Sequence, residues 1–125
     1  PLLDRIDLHV EVLRPSTATL REPPKNAESS AEVRQRVETA WRMQHRRNGT
    51  CNARLDGNDL DAACDADDRC WALLENAADR FNLSARAHQR VLRVARTIAD
   101  LSGAQRIKPP HVAEALSLRC LDRQN

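Results

Sequence analysis

The sequence predicts an all-α fold: a small bundle of four to five helices, preceded by an orphan strand and a flexible linker. Three observations predict it. Gly occurs 3 times in 125 residues and Tyr not at all, while Ala, Leu, Arg and Glu, which favour helices, are abundant. Apolar residues recur at helical spacing in several stretches that each open on a capping residue. Only one stretch alternates as a strand would. The length is that of one domain with a modest core. Trp41, Trp71 and Phe81 are its only aromatic residues. With 20 basic and 18 acidic residues the net charge is +2, which does not by itself mark a nucleic-acid binder.

Residues 6–12 read Ile-Asp-Leu-His-Val-Glu-Val, the alternation of a half-buried strand. A lone strand cannot satisfy its own backbone groups, and no later segment offers a partner. It is expected to be loose or displaced, built for a sheet upstream. Residues 13–27 contain Pro15, Pro23 and Pro24 and lack any period, so they read as a linker. The chain then divides into residues 1–27 and a helical domain over residues 28–125. It opens at Pro1-Leu2-Leu3 without Met, and reads as a piece of a longer protein.

Ser29-Ser30-Ala31-Glu32 has the pattern of a capping box and opens a helix to about Arg47. Val33, Val37, Ala40, Trp41 and Gln44 are its expected inner face. Asn48-Gly49 stops it, and Leu55 is expected to tuck back onto the core. Asn58 or Asp59 caps a short helix to about Cys64. An acid among residues 65–68 caps another to about Phe81, with Cys70, Leu73, Leu74, Ala77, Ala78 and Phe81 at helical spacing. A last helix starts near Pro109-Pro110, where Pro is tolerated. Val112, Ala115, Leu116 and Leu118 mark its apolar side, and it frays after Leu121.

Residues 84–103 form the clearest helix. Ser84 can cap it, and Gly103 can close it in a left-handed conformation. Ala87, Val91, Val94, Ile98 and Leu101 form one stripe, with Ala95 at its edge. Arg86, Arg90, Arg93 and Thr97 form another face with no matching acid nearby. Guanidinium forks suit phosphate oxygens, so this row faces either a phosphate or water.

Cys51, Cys64, Cys70 and Cys120 fit no common zinc spacing and read as buried free thiols, with a disulfide or metal role as the alternative. His9, His45, His88 and His111 are scattered and read as structural or surface residues. There is no signal peptide or spanning run, and a cytoplasmic location is expected. No phosphate-cradling G-x-x-x-x-G-K-[ST] motif, nucleophile elbow or paired-carboxylate arrangement is present. This stretch alone is expected to catalyse nothing.

Three segments carry a resemblance. Pro1-Leu2-Leu3-Asp4-Arg5-Ile6-Asp7-Leu8 resembles the part of an AAA+ core where some clades place an arginine finger. Leu83-Ser84-Ala85-Arg86-Ala87, continued by residues 90–101, resembles the sensor-2 helix of an AAA+ lid, and residues 107–116 resemble the helix after it. Together they resemble the C-terminal part of a magnesium chelatase-like AAA+ ATPase of the ComM (YifB-like) competence group.

The resemblance implies a helical lid behind a nucleotide-binding core upstream in the same chain. It implies that Arg86 is the sensor-2 arginine, reaching the γ-phosphate of ATP. Arg5 would be the finger, reaching ATP in a neighbouring subunit of a ring, a hexamer. The family pattern around the finger is Ser-Arg-Phe-Asp, whereas here Asp4 and Ile6 stand for Ser and Phe. A turn arginine could otherwise pair with Asp4 or Asp7. ATP and Mg2+ would be cofactors of the parent protein, with none bound by this stretch alone. The group is linked to DNA branch migration in natural transformation, whereas chelatase relatives drive metal insertion. A DNA-contacting or partner-docking helical module without a nucleotide role is the alternative.

Overall fold

A computed structural model describes residues 2–22 and 26–119. Among the described residues there are six α-helices, α1 (Thr17–Arg21), α2 (Ser30–Asn48), α3 (Gly57–Cys64), α4 (Asp68–Phe81), α5 (Ala85–Leu101) and α6 (Pro109–Ser117), with 3-10 turns at Leu3–Arg5 and Asn52–Arg54. Residues 23–25 of the expected linker lie outside the described residues, as do Cys120 and the expected helix end near Leu121. No described helix is long and apolar enough to cross a membrane.

The caps explain the boundaries. Ser29 accepts from the Glu32 N–H at 3.2 Å, Asp67 from Cys70 at 3.0 Å and Ser84 from Ala87 at 3.1 Å, each satisfying a first-turn donor. Gly49 closes α2 at φ 70, where a side chain would be strained. The start of α3 is a correction: Asp56 precedes it and Gly57 belongs to it, so it begins ahead of Asn58. A second correction is α1, five residues inside the expected linker, where Ser16 accepts from the Thr19 N–H at 3.2 Å.

Helix α5 is the hub. It packs on α2, α3, α6 and both 3-10 turns, while α4 packs on α6. The core gathers Leu55, Leu60, Leu74, Val91, Leu92, Ile107, Val112 and Leu116 with alanines and Cys64 and Cys70. Each buried Val, Leu or Ile contributes about 1.5–3 kcal/mol.

The inner faces of two helices differ from expectation. In α5 the buried positions are Ala87, Val91, Leu92, Ala95, Arg96, Ala99 and Asp100. Val94 and Ile98 are only half-buried, and Leu101 is exposed. With Leu8 and Leu118 these three line a cleft of about 370 Å³. The core face is rotated because Arg96 and Asp100 neutralise one another inside it, which a hydropathy stripe cannot register. In α2 only Ala40 and Gln44 are buried. Val37 and Trp41 are 53% and 54% exposed. At 19 residues the helix is about 28 Å long, and only its C-terminal turns are buried against the bundle.

Among the described residues there is no strand. The alternating segment makes one isolated parallel bridge, His9 to Arg119.

Candidate functional site

Arg86 is the second residue of α5 and is exposed. Its side chain makes no hydrogen bond or ion pair with any described residue. Its position is electrostatically unfavourable, because a cation sits at the positive end of the helix dipole and the first turn holds no acid. An anion arriving there would meet both the guanidinium and the dipole.

The rest of the arginine row is different, which corrects the expectation that it lacks matching acids. Arg90 pairs with Asp7. Arg93 donates through Nε to the Leu55 carbonyl at 2.9 Å and pairs with Asp56. Thr97 accepts from Asn52 Nδ2 at 3.0 Å and donates to the Arg93 carbonyl at 2.8 Å. These acids come from distant loops, so the sequence of the helix does not reveal them.

Arg5 ends the first 3-10 turn and is exposed. Of its two expected partners, Asp7 pairs with Arg90 instead, and the Asp4 side chain lies outside the described residues. The turn itself packs on α5. The two arginines singled out in the sequence therefore belong to adjoining elements.

A buried charge cluster lies farther along α5. Arg96 is 0% exposed. Its Nη1 donates to the carbonyls of Ala63 at 2.9 Å and Gln105 at 3.0 Å, and its Nη2 to that of Ala104 at 2.6 Å. Asp100 lies 3.0 Å from Nη2. Asp100 also accepts from Arg47 at 2.8 and 3.1 Å and from Asn52 Nδ2 at 2.9 Å. Burial pulls the Arg96 pKa below its ordinary value, and the Asp100 charge opposes that shift. The cluster ties α2, α3 and the loop after α5 to one point. Sequence reasoning missed it, although Arg96 and Asp100 at i, i+4 were a local signal.

Of the four cysteines expected to be buried, Cys51 is only half-buried, and the two buried thiols are poor nucleophiles. Cys64 and Cys70 are buried and free, and point at the carbonyls of Leu92 and Ile107. Burial pushes the Cys64 thiol up to about 12 and raises that of Cys70. Among the described residues no cluster of His, Cys, Asp and Glu could hold a metal ion.

Residues 27–119 match the family described as magnesium chelatase, subunit ChlI C-terminal. The chain belongs to this family. It is 41% identical over 123 residues to the competence protein ComM of Haemophilus influenzae. It is 43% identical over 125 residues to the uncharacterized protein YifB of Salmonella typhimurium, and 41% identical over the same length to YifB of Escherichia coli. Each comparison covers 98% of this chain and 24% of the relative, so the chain spans about a quarter of the length of the curated relatives it matches. The chelatase C-terminal match takes in α2 through α6, and therefore Arg86 and the buried cluster. It does not take in Arg5.

Proposed function

We propose that the chain is the helical lid of a longer magnesium chelatase-like AAA+ ATPase, and that Arg86 is its sensor of nucleotide. The observation that carries this is a contrast on one helix face. Arg90 and Arg93 each have a carboxylate, while Arg86, at the dipole's positive end, is exposed without one. Folding stability gives no reason to put a cation there, but a phosphate-reading arginine needs that freedom. The side chain fits an anionic group such as the γ-phosphate.

In this reading an upstream core holds Mg2+-ATP, which supplies the phosphoryl group that is transferred. Arg86 reaches that group's oxygens from the lid. Arg5, from its turn, reaches ATP in the neighbouring subunit of a hexameric ring. A guanidinium fixed near the transferring group stabilises its charge, and a finger in related NTPases is worth about 10³–10⁵ in rate. The likeness to a competence protein is the reason to prefer work on DNA, which the family resemblance implies as branch migration in natural transformation, over metal insertion.

The pairing of Arg90 and Arg93 with acids counts against a face that binds DNA backbones. The exposed Val33, Val37 and Trp41 stripe favours a second, docking role for α2. In the full-length protein Arg86→Ala is expected to lower ATP turnover at least about 10³-fold while ring assembly largely survives. Unchanged turnover would remove the assignment.

A further inference from the structure

We propose that Arg119 and Arg90 are positioning residues for Arg5, fastening the turn that bears it to the helical bundle. The proposal rests on reading Arg5 as a finger. A three-residue 3-10 turn is weakly self-sustaining. Its own bonds are those from the Arg5 N–H to the Leu2 carbonyl at 3.1 Å and from the Ile6 N–H to the Leu3 carbonyl at 3.2 Å. Further support comes from α5 and from the residues after α6.

Arg119 follows α6 and is only 2% exposed. Its Nη1 donates to the Ile6 carbonyl at 2.9 Å and its Nη2 to the Leu3 carbonyl at 3.3 Å. Those carbonyls flank Arg5 on both sides, so one planar fork spans the turn. A buried guanidinium must keep its hydrogen bonds, and this fixes the turn relative to α6. Arg90 adds a second tie from α5, through Asp7, two residues beyond Arg5. A third tie is the His9 N–H, which donates to the Leu118 carbonyl. Within this clamped segment the Arg5 side chain is left exposed.

A finger works only from a fixed base, because a 1 Å misplacement can cost about 10²-fold in rate. The clamp holds that base, and it joins the base to the helix whose head bears Arg86. A lysine at position 119 could not replace the clamp, since an ammonium has no planar fork to span two carbonyls.

The test uses the full-length protein, with ATP turnover, KM for ATP and ring assembly measured together. Arg90→Ala is expected to lower kcat about tenfold, with KM changed less than about twofold. The charge-swapped pair Asp7→Arg with Arg90→Asp is expected to recover most of the loss. In an Arg5→Ala background, Arg90→Ala is expected to cost nothing further, because its effect passes through Arg5. Arg119→Met and Arg119→Lys are expected to show the same kcat defect. If Arg119→Met fails to fold, the Arg90 and Asp7 variants carry the test.

Full kcat in Arg90→Ala, no recovery in the swapped pair, or an added loss in the Arg5→Ala background would each overturn the positioning role. If Arg5→Ala itself leaves turnover intact, the finger reading fails and this proposal goes with it. A loss in Arg5→Ala without one in Arg90→Ala overturns the positioning role alone.

Discussion

Arg86 and Arg96 lie on the same helix, about 15 Å apart along its axis, and their surroundings are opposite. Arg86 stands at the head of α5, exposed, with no acid in its turn. Arg96 is sealed in the core, with three carbonyls and Asp100 around it. The comparison teaches that residue type and helical position do not assign a role. What assigns it is whether the protein itself supplies the counter-charge. Where it does, the arginine holds helices together. Where it does not, the charge is available to something outside the domain.

The sharpest way to break this comparison is to truncate the buried member. Arg96→Met leaves three carbonyls without donors and removes one of the cations serving Asp100. A loss of about 3–5 kcal/mol is expected, enough to unfold a domain with so thin a core, as read by urea denaturation. The exposed member, Arg86→Ala, should move the same curve by less than about 0.5 kcal/mol. Equal effects would mean that both arginines are structural.

The next largest effect belongs to Arg47, whose guanidinium joins α2 to Asp100 and Asn52. Its side chain is 24% exposed, so water screens the pair in part. Arg47→Ala is expected to cost about 1.5–3 kcal/mol, with amide exchange rising first in α2.

A pH-dependent effect follows at His111. Its Nδ1 accepts from the Lys108 N–H at 2.9 Å at the start of α6, which only the neutral ring can do. Its pKa is lowered, first by burial and then by the Arg96 and Lys108 charges. The unfolded chain then binds the proton more readily, so stability falls as pH drops below the ordinary His value of 6.5. In His111→Asn, whose side-chain oxygen can accept the same bond, that part of the slope in melting temperature against pH should vanish. The smallest effect is expected at Trp41. It is exposed and stacked on His45 with ring centroids 3.6 Å apart. Trp41→Ala should change the stability of the isolated chain by no more than about 0.5 kcal/mol, and a larger change would mean that α2 is packed more deeply.

The helices were legible where the signal is local. Ser29, Ser84 and Gly49 act as their chemistry requires, and Leu55 returns to the core. Helix α1 was not legible, because five residues are too few to show a period. The face of α5 was read off-centre, because a buried arginine and aspartate look polar in sequence and are neutral only as a pair. The α2 stripe was real as a pattern, but a pattern does not say whether its partner lies in this chain. At the candidate site, Arg5 and Arg86 were visible as types, and Asp7 was visible as an acid but with Arg5 as its expected partner. Its pairing with Arg90, and the contacts of Asp56 and Arg119, were not legible, since they join distant parts of the chain and no local spacing encodes them.

The central claim is most directly tested by chemical footprinting of the full-length protein with an arginine-selective dicarbonyl, read by mass spectrometry with and without Mg2+-ATP. Arg86 is predicted to be modified readily without nucleotide and protected with it, while Arg96 stays unmodified in both. Modification of Arg86 at the same rate with saturating ATP would contradict the account.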